Sequence, residues 1–228
     1  MSTVSAVVLT YNKAWIVREC LASLRCQSRQ ADEVIVVDDA STDDTRSELA
    51  DLPASWLRLT QRKNGGQSRA RNIGFRYATG DYLVFIDGDV VMESDMLESM
   101  AGALDRNPTA SIAYSHYLRQ GTRRDAVQAA PWDAALLRRR NYVSAISLVR
   151  RLHLPQPPFD ETLKRYEDWE AWLRMSGAGR SGILVDRALF TAHYRAADLS
   201  GQGESPEWYR RVLAKHGFQP RAGERGPT

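Results

Sequence analysis

Two carboxylates separated by one glycine, Asp87-Gly88-Asp89, follow directly on the apolar run DYLVFID. Acids leaving one strand end in this way suit a hard divalent cation, Mg²⁺ or Mn²⁺, commonly held by one or two carboxylates together with the phosphate oxygens of a substrate. Gly88 would let a diphosphate come close. The same three residues also describe an ordinary solvated turn. A second acidic pair, Asp38-Asp39, ends the run EVIVVD. A carboxylate there can accept the imide N–H of a base such as uracil, or can simply open a helix. The stretch NGGQSRARN, residues 64–72, sets glycines, Arg69 and Arg71 at a helix start, where backbone N–H groups and guanidinium groups suit a base carbonyl or a phosphate. Glu167 and Asp168 stand at another helix start. The helix dipole stabilises acids there, and either could instead act as a general base, with Trp169 and Trp172 holding the backbone rigid.

These groups need elements to position them, and the apolar pattern supplies a set. Ser5 to Thr10 predicts a buried strand, Ala14 to Cys26 a helix, and Glu33 to Asp38 a second strand. Ser41 and Asp44 have capping-box spacing at the next helix start. Trp56 to Thr60 then predicts a short strand, Ser68 to Tyr77 a helix ended by Gly80, Asp81 to Asp87 a fourth strand, and Ser94 the cap of a further helix. This rhythm implies right-handed βαβ units in an α/β fold, a mostly parallel central sheet flanked by helices, with a ligand crevice at the carboxyl ends of the strands. Thr10, Tyr11, Asn12, Asp38, Asp39, Asp87 and Asp89 all gather at those ends. No G-x-G-x-x-G follows the first strand, which argues against NAD. Beyond Asn107 the pattern gives a strand at Ser111 to Tyr117, an arginine run at Arg138 to Arg140, a Pro-rich loop, a helix from about Glu167 to Gly177, and a last strand at Gly182 to Asp186. A boundary near Gln120 divides residues 1–120 from residues 121–218, and residues 219–228 read as a disordered tail.

With 228 residues, 43% of them hydrophobic and 26% charged, the chain has a core to bury and is neither disordered, collagen-like nor membrane-embedded. A net charge of +3 is too small to argue for nucleic acid. Arg119 to Arg151, however, holds eight arginines against Asp125 and Asp133, which fits an anionic partner or a solvated basic face. Cys20 and Cys26 would lie about 9 Å apart along a helix, beyond disulfide reach, so free thiols are expected. With no leader and no apolar run near the roughly 18 residues of a membrane span, a cytoplasmic location is expected.

Taken in order, VVLTYNK, VVDDASTDDT, NGGQSRARNIGF, DYLVFIDGDV, FDETLKRYEDWEAWLRM and HYRAADLS resemble the family 2 glycosyltransferases of the GT-A fold, inverting type, over about Val4 to Ser200. The resemblance implies a nucleotide-diphospho-sugar donor, favoured as a UDP-sugar, with Thr10, Tyr11, Asp39 and Arg71 on the base and ribose side. It implies Asp87 and Gly88 at the donor diphosphate, Asp87 and Asp89 as the motif for Mn²⁺ or Mg²⁺, and Asp168 as the base. Neighbouring helical positions point about 100° apart, so one of the pair can face the reacting hydroxyl, and Glu167, in line with Ala171 and Arg174, is expected to be the supporting acid. Residues 1–120 become the nucleotide-sugar-binding half, and residues 121–218 the half that binds a carbohydrate or lipid-linked saccharide acceptor. The basic stretch allows peripheral association with a membrane face. Two departures stand out. Val90 occupies the third acidic place of D-x-D-D, and Tyr194-Arg195-Ala196-Ala197 lacks the His of the family's Y-R-x-H, a usual metal ligand. The alternatives are a non-catalytic nucleotide-sugar-binding relative and, from FIDGDVV, a haloacid-dehalogenase-like phosphatase.

Overall fold

The computed structural model describes residues 2–122, 124–196 and 205–219; Ala197, Arg123 of the basic stretch and the expected tail from Pro220 onward lie outside the described residues. Four strands, β1 (Val4–Thr10), β2 (Glu33–Asp38), β3 (Leu57–Thr60) and β4 (Tyr82–Asp87), pair in parallel in the order β3-β2-β1-β4. Helices α1 (Val17–Arg25), α2 (Thr45–Glu48) and α3 (Gln67–Tyr77) connect them. In this register Thr10 lies opposite Asp38, and Leu9 opposite Asp87, so the polar residues finish level with one another.

Alternation along the strands assigns each side chain to a face. Val4, Ala6, Val8, Val34, Val36, Val84 and Ile86 pack with Val17, Leu21 and Leu24 of α1 and with the helix α4 (Met96–Arg106). Val7, Leu9, Ile35, Val37, Leu83 and Phe85 pack instead with Ala70 of α3 and with Trp169 and Trp172 of the helix α6 (Glu167–Gly177). Strands covered on both faces can be apolar throughout, which explains the unbroken runs. Asp87 continues the parity of Leu83 and Phe85, so its side chain emerges on the face of α3 and α6.

The rest of the sheet is mixed. After β5 (Val90–Met92) and α4 come β6 (Ala110–Gly121), β7 (Asp125–Val127), α5 (Ala134–Leu137), β8 (Leu148–Arg150), α6, β9 (Ser181–Tyr194) and α7 (Pro206–Lys215). The sheet order is β3-β2-β1-β4-β8-β6-β9-β5, with β7 paired to β6. β8 is antiparallel to both β4 and β6, and β9 runs parallel to β6 from Ser181 to Tyr194 while Phe190 to Ala192 also pair antiparallel with β5. Gln120 lies inside β6, paired with His193, and the sheet runs unbroken across that position.

Several boundaries differ from the sequence pattern for identifiable reasons. α1 starts at Val17, not Ala14. The Ser41 capping box does not form: Ser41 Oγ accepts the Asn12 N–H at 3.0 Å, and α2 opens at Asp44 and lasts one turn. Ser94 does not cap α4, because residues 90–92 continue as β5 and Asp95 precedes the helix. β9 reaches Tyr194, well past Asp186, its alternation masked by register shifts against β6 around Ser115 to Leu118.

α3 sits on β1 at Gly74, where an added Cβ would lie 2.2 Å from Val7 Cγ1. Gly74→Ala is therefore expected to destabilise the protein by about 1–3 kcal/mol through overpacking, measurable as a lower urea midpoint at unchanged slope.

Candidate active site at the carboxyl ends of the strands

Arg71 lies on the face of α3 that looks onto the sheet, and its side chain is 1% exposed. Its Nη2 donates to Asp87 Oδ1 at 2.7 Å, and its Nη1 donates to Glu167 Oε1. The ring of Phe159 lies 5.5 Å from the guanidinium carbon. Three segments distant in sequence, at residues 71, 87 and 167, thereby meet at one buried cation. The two carboxylates hold its proton more firmly than usual, outweighing the opposite effect of burial. Two of its five N–H groups are committed in this way, while its buried Nε has no hydrogen-bond partner among the described residues. Arg69 is exposed and electrostatically coupled to Asp39.

Asp168 is adjacent to this knot but outside its hydrogen bonds. Its Oδ1 accepts the Trp169 N–H at 2.7 Å, and its Oδ2 accepts from Asn141 Nδ2 at 3.0 Å. Burial, reinforced by the charge of Glu167, raises its pKa to about 7, against the opposing pull of Arg71 and these two hydrogen bonds. A carboxylate in that range can hold or release a proton near neutrality. Tyr166, just before it, has φ of 61°, a left-handed conformation rare for a bulky residue, and it sets the entry angle of α6. Trp169 and Trp172 are fully buried, and their indole N–H groups donate to Leu137 O at 2.7 Å and Val143 O at 3.0 Å. The rigid backing expected of the two tryptophans is thus provided by specific bonds.

At the end of β2, Asp39 is buried and its carboxylate accepts N–H groups from Gly65 and Gly66, each at 2.8 Å, and from Gln61 at 2.5 Å. Burial raises its pKa against the pull of the glycine amides and Arg69. A carboxylate has about four acceptor positions, and these bonds fill three of them. Tyr11 is 41% exposed at the tip of β1. Thr10 Oγ1 and Asp38 Oδ2 are buried with no hydrogen-bond partner among the described residues, while Asp38 Oδ1 accepts the Ser41 N–H. Thr10 therefore faces inward and Tyr11 outward. Asn12, at φ 53°, uses Oδ1 to accept the Thr42 N–H at 2.8 Å and so fastens the β1 and β2 ends together.

Gly88 is constrained by the fold itself: a Cβ there would come within 3.0 Å of Leu9 O, whose carbonyl accepts the Gly88 N–H at 2.7 Å. Asp89 ion-pairs with Lys13 Nζ at 2.6 Å, and its carbonyl accepts the His193 N–H at 2.9 Å. Asp87 and Asp89 are the hard oxygen donors that Mg²⁺ or Mn²⁺ takes one or two at a time, the remainder of its shell being phosphate and water, so this pair fits such an ion. Among the described residues no group of three or more His, Cys, Asp or Glu is placed to hold a metal. Cys20 and Cys26 are free, as expected. Cys20 donates from Sγ to Asp87 O at 3.6 Å, and burial beside Asp89 and Asp87 pushes its thiol pKa far up, which makes it inert.

Sequence reasoning missed Lys13, Asn141 and a pair of tyrosines. Tyr117 and Tyr194 share a hydrogen bond, with Tyr117 in the field of Asp168 and Tyr194 in that of Asp89. Lys13 had a signal, following Asn12 at the end of the first strand, whereas Asn141 had none beyond its place after three arginines. Those basic residues disperse in space. Arg119 pairs with Asp125 at 2.7 Å and 2.5 Å, Arg150 donates to Ala110 O and Leu104 O, and Arg151 donates to Gly80 O, while Arg138 to Arg140 are exposed. No helix among the described residues is long and apolar enough to cross a membrane.

The fold is of the GT-A type seen in solved glycosyltransferases. It superposes on Staphylococcus aureus TarS 1-349 in complex with UDP-GlcNAc at a TM-score of 0.75 and 21% identity, covering 93% of this chain and 66% of that one. It superposes on the mannosyltransferase PcManGT of Pyrobaculum calidifontis, solved with GDP-Man and Mn²⁺, at 0.67 and 19% identity, covering 94% and 69%. Residues 5–162 match Glycosyl transferase family 2, and the chain belongs to that family. YwdF of Bacillus subtilis (strain 168), described as an uncharacterized glycosyltransferase, is 30% identical over 233 residues, covering 94% of this chain and 84% of YwdF. The chain spans only 18 to 39% of the length of other curated relatives that it matches. Family membership sets aside the phosphatase alternative.

The raised pKa of Asp168 has a consequence for stability. A carboxyl that titrates near 7 when folded and near 3.8 when unfolded favours the fold while protonated, and that contribution is lost as pH rises from about 4 to about 7. Asp168→Asn removes the loss. The variant should melt above wild type at pH 8, and the gap should close as pH falls toward 4, as followed by circular dichroism.

Proposed function

We propose that the chain transfers a sugar from a nucleotide-diphospho-sugar, preferentially uridine-linked, to an acceptor hydroxyl with inversion at the anomeric carbon. The observation that carries this reading is the Arg71 bridge, which brings Asp87 of the strand-end acidic pair and the Glu167-Asp168 helix start together. Glu167 is tied to Arg71 and acts as the supporting acid. Asp168, held by amide N–H groups, takes the proton of the acceptor hydroxyl as its oxygen attacks from the side opposite the diphosphate. When bound, Mg²⁺ or Mn²⁺ at Asp87 and Asp89 supplies positive charge to the departing diphosphate. Asp39 accepts the imide N–H of the base, which is the ground for preferring uridine, and Tyr11 is exposed beside it. Residues up to Gln120 form the donor-binding half, and the later residues build the acceptor side. Its exposed Arg138 to Arg140 suit an acceptor bearing phosphate, or an anionic membrane face, where each nearby basic residue adds about 1 kcal/mol.

A donor screen of the purified protein, reading nucleoside diphosphate release, tests the activity itself. Asp168→Asn should keep donor affinity and lose turnover by roughly a hundred- to ten-thousandfold, whereas Glu167→Gln should keep more of it. Wild-type kcat should rise with pH through about 7 as Asp168 loses its proton. Near-normal turnover in Asp168→Asn would remove the base from this residue, and a wild type that binds donor without turnover would favour the non-catalytic alternative.

Calorimetric titration addresses the donor and the metal. UDP should bind more tightly than GDP in the presence of Mn²⁺, and Asp89→Ala should abolish the Mn²⁺-dependent part of that binding. Tight GDP binding with none for UDP would reverse the base assignment.

A further inference from the structure

Among the described residues Asp168 has two hydrogen-bond donors, and the one from outside its own helix is Asn141. The orientation of that amide is fixed chemically. Asn141 Oδ1 accepts the Val143 N–H at 3.2 Å, so the atom facing Asp168 is the NH₂ group and can only donate. The loop that carries Asn141 is fastened by its own backbone: Leu137 O accepts from Trp169, Arg139 O accepts from Tyr209 OH at 2.9 Å, and Val143 O accepts from Trp172. Two of those three donors are on α6, the helix of Asp168, and Tyr209 of α7 stacks on Trp169 with ring centroids 5.3 Å apart. Loop and carboxylate are therefore parts of one rigid body.

The chemical type at position 141 also matters. Three acids stand in the first turn of α6. Glu167 pairs with Arg71, and Glu170 with Arg174 and Lys215. Asp168 faces a neutral amide, although three arginines immediately precede it in the loop. A cation there would stabilise the carboxylate and weaken it as a base; an amide orients it without pairing its charge.

Resting on the reading of Asp168 as the base, we propose that Asn141 is a positioning residue for the transfer reaction, holding the Asp168 carboxylate in the orientation that receives the acceptor proton. It touches no substrate itself. Misplacing a catalytic group by about 1 Å can cost about a hundredfold, so the effect belongs in kcat and not in donor binding.

The test compares Asn141→Ala with the isosteric Asn141→Asp, each alone and in the Asp168→Asn background. Turnover is read as UDP released from UDP-glucose, UDP-galactose or UDP-N-acetylglucosamine with water as acceptor, and UDP affinity by calorimetry. Asn141→Asp keeps the acceptor for the Val143 N–H, and with it the loop, and on the alkaline limb of the pH profile, where turnover is read and both carboxyls are ionised, it loses the donor to Asp168. Both variants should lose about ten- to a hundredfold in kcat, with UDP affinity and donor KM within about twofold of wild type. In the Asp168→Asn background, Asn141→Ala should add less than about a twofold further loss. Near-normal kcat in Asn141→Asp with impaired Asn141→Ala would mean that Asn141 merely ties its loop, and would overturn the proposal. An equal loss in both backgrounds, or a parallel fall in UDP affinity, would overturn it as well. Near-normal turnover in Asp168→Asn alone would instead bring down the base assignment, a result separable from failure at Asn141.

Discussion

A guanidinium buried between two carboxylates is the constraint on which this structure turns. Removing a cation from water costs several kcal/mol, and Arg71 recovers this only because Asp87 and Glu167 both reach it. Each contact has a geometric precondition. Asp87 must fall on the face of Leu83 and Phe85, which strand parity guarantees, and α6 must begin with Glu167 pointing inward, which the left-handed turn at Tyr166 arranges. The ion pairs thus join α3, β4 and α6 at the polar edge of the apolar cluster that already packs them together. They also pair Glu167 with a cation, so that, among the described residues, the carboxyl left without an ion pair at the helix start is that of its neighbour.

The same economy extends across the opening turn of α6. Glu170 is fully buried and meets Arg174 from its own helix and Lys215 from α7, while Asp160 accepts the same lysine at 2.7 Å and is held at a pKa of about 2, burial being overcome by Lys215 and Thr162. These contacts dock the last described helix onto the site. Three acids of one turn thus have three fates, set by what each faces and not by their common position at the helix dipole.

Much of this was legible from residue order. The strand ends, the acidic pairs at Asp38-Asp39 and Asp87-Asp89, and the helix at Glu167 follow from runs of apolar residues that stop at polar ones, and such signals are local. Arg71 shows where locality ends. Its position on a glycine-rich helix start suggested a ligand for an anion, but whether its side chain faced solvent or sheet depended on packing against β4 and α6. Asn141 was invisible for the same reason, since nothing near it in the chain predicts Asp168. β9 was read short because its pairing with β6 shifts register, and a shift of one residue erases the alternation on which the reading depends. The basic stretch dispersed because Arg119 lies on β6, Arg138 to Arg140 follow α5 and Arg150 ends β8.

The fastening of residues 137–143 has an evolutionary corollary. All three anchors grip main-chain carbonyls, and a carbonyl is the same whatever residue bears it. Leu137 and Val143 are buried and held by packing, yet the side chains of residues 138, 139 and 140 point outward. Substitution at those three positions can change what the loop presents to solvent while its path stays where the tryptophans and Tyr209 put it. Sequence can drift in this stretch without the backbone beneath it having to be rebuilt.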